Sequence, residues 1–223
     1  MNFFSHQSIF FTILGYPMSY LEFFGTLSGA VAVWLSAKEN VWSWPIGIIN
    51  VTLFFFLFFQ VQLYPDMFLQ VFFFITNLMG WWRWTHPAKE EENQKNQLRV
   101  SLMPTKMLAS MILIWLVGTV TIGLLAKNLH EFFPVLFSQP SAFPFADSFV
   151  TVMSMVATYL MVQKKVECWL VWIAVDVVAC SLYFSKDLML LGIEYLAFCL
   201  LAGFGFWKWS KEFKKSNPSH ISP

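Results

Sequence analysis

Seven apolar runs of 17–21 residues, at 20–37, 44–61, 66–84, 106–126, 147–163, 168–184 and 188–207, constrain this 223-residue chain more than any other feature. About 20 such residues carry a helix across the hydrocarbon of a bilayer. A water-facing surface needs charge that the chain lacks: 12% of its residues are charged, where soluble domains carry about 25%. The predicted class is therefore an all-α integral membrane protein with seven transmembrane helices in the lipid bilayer. A net charge of +1 and the absence of a basic face exclude nucleic acid as a partner. The apolar start, residues 1–19, is too short to cross and is expected to form an interfacial helix.

Lys and Arg are enriched in short cytoplasmic loops. Arg83, Lys89, Lys95, Arg99 and Lys106 crowd one connection, and Lys208, Lys211, Lys214 and Lys215 follow the last span. Alternation then places Lys38, Lys164 and Lys165 inside too, leaving only Lys127 and Lys186 of the 14 basic residues outside. The expected topology is N-terminus out and C-terminus in. The connector from His86 to Pro104, with EEENQKNQ, reads as a solvated loop, and 127–146, with Pro134, Pro140 and Pro144, as an irregular outer loop.

Displacing the chain on itself by 125 residues lays Glu22–Trp84 over Asp147–Trp209 with 15 identities in 63 pairs. They include Val31/Val156, Trp44/Trp169, Phe59/Phe184, Gly80/Gly205, Trp82/Trp207 and Trp84/Trp209. Each repeat, 20–84 and 147–209, holds three spans. Three is odd, so the 106–126 helix within 85–146 is needed to make the repeats parallel, and residues 210–223 follow as a cytoplasmic tail. A parallel 3+1+3 repeat is a transporter architecture, with the substrate expected at the repeat interface near the midplane.

Polar groups inside spans mark either helix packing or a pathway. Helical spacing puts Trp169, Trp172, Asp176 and Tyr183 on one face, and Gln70, Asn77, Trp81 and Trp84 on another. The first face offers aromatic planes and one carboxylate; the amides of the second donate and accept, which suits an uncharged carboxamide or a sugar hydroxyl, and amides serve equally as glue between helices. Asn50, Gln60, Glu194 and Tyr195 complete the candidates. Pro45 and Gly47 precede Asn50 in WPIGIIN, where proline kinks or loosens a helix and offers a hinge. Glu22 and Asp147, at the same position of both repeats, read as helix caps. The Trp residues at helix ends, Trp42, Trp82, Trp207 and Trp209, read as an interfacial belt, and Cys168, Cys180 and Cys199 as small core residues. His6, His86, His130 and His220 fall outside the predicted spans, and the sequence offers no catalytic, metal or cofactor motif.

The segments INVTLFFFLFFQVQLY, LQVFFFITNLMGWWRW, FPFADS and VECWLVWIAVDVV resemble the Pnu family of bacterial vitamin-precursor transporters. The likeness runs from Met1 to about Trp209 and is carried by Asn50, Gln60, Leu63–Tyr64, Gln70, Asn77, Gly80–Trp81 and Glu194–Tyr195. It implies the three-one-three fold of the SWEET sugar transporters, the bacterial inner membrane and a homotrimer. It also implies facilitated diffusion of nicotinamide riboside, which a cytoplasmic ribosylnicotinamide kinase traps by phosphorylation. Some members carry Asn in place of Asp176, which implies that a charge there is not essential. A thiamine or riboflavin carrier of the same family, a sugar carrier of the SWEET type, and a membrane-embedded enzyme stand as alternatives.

Overall fold

Between Ile9 and Ser19 the chain cannot stay helical. Pro17 lacks the amide a helix interior uses, and Gly15 takes φ +83°, a left-handed conformation suited to glycine. In the computed structural model, which describes residues 5, 7–13, 15–61, 64–132, 143–185 and 189–216, the segment is a β-hairpin. Its strand β1 (Ile9–Ile13) runs antiparallel to β2 (Tyr16–Ser19). This corrects the interfacial helix expected there. The ring of Phe10 lies 4.6 Å from that of Tyr20 and 5.1 Å from that of Phe23, which ties the hairpin to the helix that follows.

That helix, α1 (Tyr20–Ala37), starts on a capping box. Ser19 Oγ accepts the Glu22 amide at 3.2 Å and the Glu22 carboxylate accepts the Ser19 amide at 2.8 Å. Six more helices follow: α2 (Ser43–Gln60), α3 (Tyr64–Thr85), α4 (Thr105–Phe132), α5 (Pro144–Val162), α6 (Cys168–Ser185) and α7 (Met189–Ser216). Among the described residues all but α3 are long and apolar enough to cross a membrane. In α3 the apolar run is diluted by Asp66, Gln70, Asn77 and Arg83.

The helices outrun three expected boundaries. α4 continues from 127 to Phe132 and α5 opens at Pro144, so both ends of the expected outer loop are helical, while Pro134 and Pro140 lie outside the described residues. α7 carries on through Ser216, so the tail starts as helix. Proline suits the first turn of α5 because its missing amide has no partner there anyway.

The chain divides into two units, residues 1–99 and 100–223. In the first, α2 packs against both α1 and α3; in the second, α4 packs on α5, α5 on α6 and α6 on α7. The 125-residue repeat reappears bond for bond in the backbone. Glu39 and Lys164, at equivalent positions, both take left-handed conformations, φ 57° and 53°. Around them the amides of Glu39 and Lys164 donate to Ser36 and Met161 at 2.9 Å, and those of Asn40 and Lys165 to Leu35 and Leu160 at 2.9 Å. This is the same Schellman closure of α1 and α5, made each time without glycine.

A second duplicated device joins the helix pairs. Trp44 on α2 sits edge-on to Trp84 on α3, with ring centroids 5.1 Å apart at 89°; Trp169 on α6 sits edge-on to Trp209 on α7, 5.4 Å apart at 88°. Each first ring lies over a bare glycine, Gly80 or Gly205, where a methyl would overlap the indole. Trp209, expected in the interfacial belt, is thereby corrected to a core residue: it is 0% exposed, against 67%, 63% and 58% for Trp42, Trp82 and Trp207. A tryptophan at a helix end joins the core when a glycine one turn before it admits a partner ring.

The connector is not a plain solvated loop. Arg83 pairs with Glu91 at 2.7 Å, and Leu98 and Val100 are buried. Residues 101–103 are strapped to the α5–α6 turn: the Ser101 amide donates to Lys164 O (3.1 Å) and the Val166 amide to Ser101 O (3.0 Å). Lys165 Nζ donates to Ser101 Oγ at 2.8 Å, and the Met103 amide to the Glu167 carboxylate at 3.0 Å.

Candidate functional site

In the first unit the candidate amides are spread over three places. Asn50 Nδ2 donates to Gly25 O of α1 at 2.8 Å, and a methyl at Gly29 would meet the same nitrogen at 2.8 Å, so Asn50 clamps α2 to α1. Asn77 Nδ2 donates to Phe73 O in its own helix at 2.7 Å, while its Oδ1 occupies the space that a side chain at Gly47 would need. Gln60 Nε2 donates to Phe56 O at 3.1 Å, at the end of α2.

Gln70 lies apart from these. With Val51, Thr52, Phe55, Phe56, Val71 and Phe74 it lines a cleft of about 230 Å³ between α2 and α3, where the Thr52 hydroxyl is already spent on Ile48 O of its own helix at 2.7 Å. The face predicted to join Gln70, Asn77, Trp81 and Trp84 therefore divides. Trp84 is in the core, Asn77 is pressed onto Gly47, and Gln70 and the exposed Trp81 remain open.

Pro45 falls in the first turn of α2, where no intrahelical acceptor is lost, so it does not kink the helix. Gly47, two residues on, lies against Asn77, and Trp44 against Gly80. Of the pair expected as a hinge, Gly47 is packed against α3 through Asn77.

The second unit brings more of its candidates together. Asp176 on α6 is 3% exposed, and no described residue donates a hydrogen bond or offers a cation to its carboxylate. It stands one turn before Cys180 and two turns before Tyr183, on the face of α6 that packs on α7 through the Tyr183–Tyr195 stack. One helical turn beyond Cys180, Tyr183 stacks on Tyr195, with centroids 5.2 Å apart at 19°, and Glu194 stands beside that pair. Trp172 is half-buried one turn before Asp176, whereas Trp169 is fully buried in the ring pair with Trp209. Asp176, Tyr183, Glu194 and Tyr195 thus form one polar seam between α6 and α7. Half-buried Cys180 and Cys199 lie in it as well, residues the sequence assigns to the core; the spacings Asp176–Cys180 and Tyr195–Cys199, four residues each, are the signal that places them.

Unpaired carboxylates are costly to bury and need a proton or a cationic partner. A multi-pass helical membrane protein with a duplicated three-helix unit and such a group in its apolar interior has the construction of a solute transporter. A family model described as nicotinamide mononucleotide transporter matches residues 19–211. The chain is 34% identical to the nicotinamide riboside transporter PnuC of Escherichia coli, over 93% of its own length and 94% of that protein. It is 25% identical to the riboflavin/roseoflavin transporter RibM of Streptomyces davaonensis, covering 89% of this chain and 88% of that one. A crystal structure of the vitamin B3 transporter PnuC shares the fold, with a TM-score of 0.66 at 21% identity over 88% of this chain and 83% of that one. The chain belongs to the nicotinamide mononucleotide transporter family, the Pnu family of vitamin transporters, and is a transporter rather than an enzyme.

Proposed function

We propose that the protein carries nicotinamide riboside across the bacterial plasma membrane by facilitated diffusion with alternating access. The observation that carries this reading is the unpaired carboxylate of Asp176, one turn from a half-buried Trp and on the same seam as a stacked Tyr pair. Nicotinamide riboside offers a cationic ring to face the Asp176 carboxylate and lie against aromatic faces, worth about 0.5–2 kcal/mol per cation–π contact, and ribose hydroxyls that suit a seam carrying a carboxylate and phenols. In the first unit, taken by itself, Gln70 offers an amide suited to a carboxamide and the exposed Trp81 a ring face.

The same chemistry argues against the mononucleotide that the family's description names. α6 carries no Lys or Arg, and the basic residues of α7 are confined to its end, at Lys208, Lys211, Lys214 and Lys215. A phosphate beside Asp176 and Glu194 would meet like charge, with no basic residue among the described residues of α6, nor of α7 before Lys208, to offset it. The orientation follows from the basic residues, N-terminus out. The homotrimer and the trapping kinase are carried over from the family resemblance.

Calorimetry on the purified protein tests the substrate. Nicotinamide riboside is expected to bind at least tenfold more tightly than nicotinamide mononucleotide, riboflavin or thiamine. Mononucleotide binding as tight as the riboside's would overturn the selectivity argument, and tighter riboflavin binding would replace the substrate.

A further inference from the structure

The repeat relates two surfaces whose chemistry differs. In the first unit the α2–α3 cleft is lined by Val51, Phe55, Gln70 and Phe74 among others. Adding 125 to each gives Asp176, Cys180, Tyr195 and Cys199 of the α6–α7 seam. One side of the repeat is walled by phenyl rings. At the matching places the other carries two thiols, a buried carboxylate without a hydrogen-bond donor and a tyrosine.

The registry of the seam is set at both ends by ring pairs, Tyr183 on Tyr195 at one and Trp169 on Trp209 at the other. Between them, Cys180 follows Asp176 by one turn on α6, and Cys199 follows Tyr195 by one turn on α7. With the ring pairs fixing the register of the two antiparallel helices, Cys180 and Cys199 stand at the same level of α6 and α7, one turn from Asp176 and Tyr195 respectively. Cys168, fully buried at the start of α6, lies outside it.

We propose that Cys180 and Cys199 line the substrate seam and set its width: small thiols where the first repeat carries Phe55 and Phe74 make room for an aromatic cation beside Asp176. Thiols suit the position because they are small, polarizable and weakly polar, and so bound a flat ring without competing for the carboxylate. The role is one of specificity, not of covalent chemistry, and the identity of the ligand rests on the substrate reading above.

The test uses the unsubstituted protein in detergent and a cationic methanethiosulfonate, which forms a mixed disulfide with a thiol and releases methanesulfinate. Peptide mass spectrometry then reads the three cysteines separately. Cys180 and Cys199 should react while Cys168 is spared, and saturating nicotinamide riboside should slow both reactions at least fivefold. Riboside binding by calorimetry in the same sample, with both rates unchanged or neither thiol reactive, would overturn the proposal. Protection by riboflavin in place of the riboside would uphold the seam and overturn the substrate reading. Restoring the first repeat's residues gives a second readout: Cys180→Phe with Cys199→Phe should lower affinity at least a hundredfold with the melting temperature kept, and native affinity in that variant would refute the assignment of width.

Discussion

Two glycines of α7, two residues apart, should answer in opposite directions when each gains a single methyl. At Gly203 nothing lies within 4 Å of an added Cβ, whereas at Gly205 it would stand 2.6–2.7 Å from three ring atoms of Trp169. Gly203→Ala should collect the full helix-propensity gain of about 1 kcal/mol. Gly205→Ala collects the same gain but must displace a fully buried indole held edge-on by Trp209. Overpacking of a core costs about 1–3 kcal/mol, and a ring with no exposed side to retreat toward belongs at the upper end. The two variants should therefore differ by about 3 kcal/mol, roughly 6–12 °C in melting temperature for a chain of this size. Thermal unfolding followed by size-exclusion fluorescence in detergent reads this directly. Trp169→Phe placed on Gly205→Ala should recover part of the loss, because the smaller ring clears the methyl. Equal melting temperatures for the two alanine variants would refute the packing account of the repeated tryptophan.

Asp176→Asn should weaken riboside binding about fivefold by calorimetry, since a hydrogen bond to a charged group exceeds a neutral one by about 1 kcal/mol; unchanged affinity would remove the carboxylate from the site. Tyr16, partly buried and donating to Glu22 at 2.6 Å, has its phenol pushed up to about 12. Its folded value lies above the unfolded one, so the hairpin's share of stability is full below about pH 10 and drains between about 10 and 12. Tyrosinate absorbance, compared with Tyr16→Phe, should place this group near pH 12; a transition near 10 would contradict the contact. Glu167→Ala, which strips the Met103 amide of its acceptor, should raise the protease sensitivity of residues 98–104 severalfold, and an unchanged rate would show that the strap does not depend on it.

The spans were legible because a helix in hydrocarbon must be apolar throughout, so α1, α2 and α6 begin and end within one residue of their runs. The hairpin was not, because IFFTI is as apolar as a helix would be and only Gly15 and Pro17 argue otherwise. α4 outran its run because a helix persists past the hydrocarbon wherever its residues tolerate it, as Lys127–Phe132 do. At the candidate site, Asp176, Tyr183, Glu194 and Tyr195 stand out by chemistry alone. What pairs them, the registry of α6 against α7, is set by ring packing at Gly205 and Tyr195, which a linear pattern does not encode. Asn50 and Asn77 look like ligand amides in sequence; what the sequence does not encode is that Asn50 lies against Gly25 and Gly29 of α1 and Asn77 against Gly47 of α2.

The central claim is transport of nicotinamide riboside without phosphorylation. Counterflow of labelled riboside into proteoliposomes preloaded with unlabelled riboside, free of kinase and nucleotide, tests it most directly. The account predicts transient accumulation of unmodified label that excess unlabelled riboside abolishes and the mononucleotide does not. Label that fails to enter, or that emerges chemically altered, would contradict it.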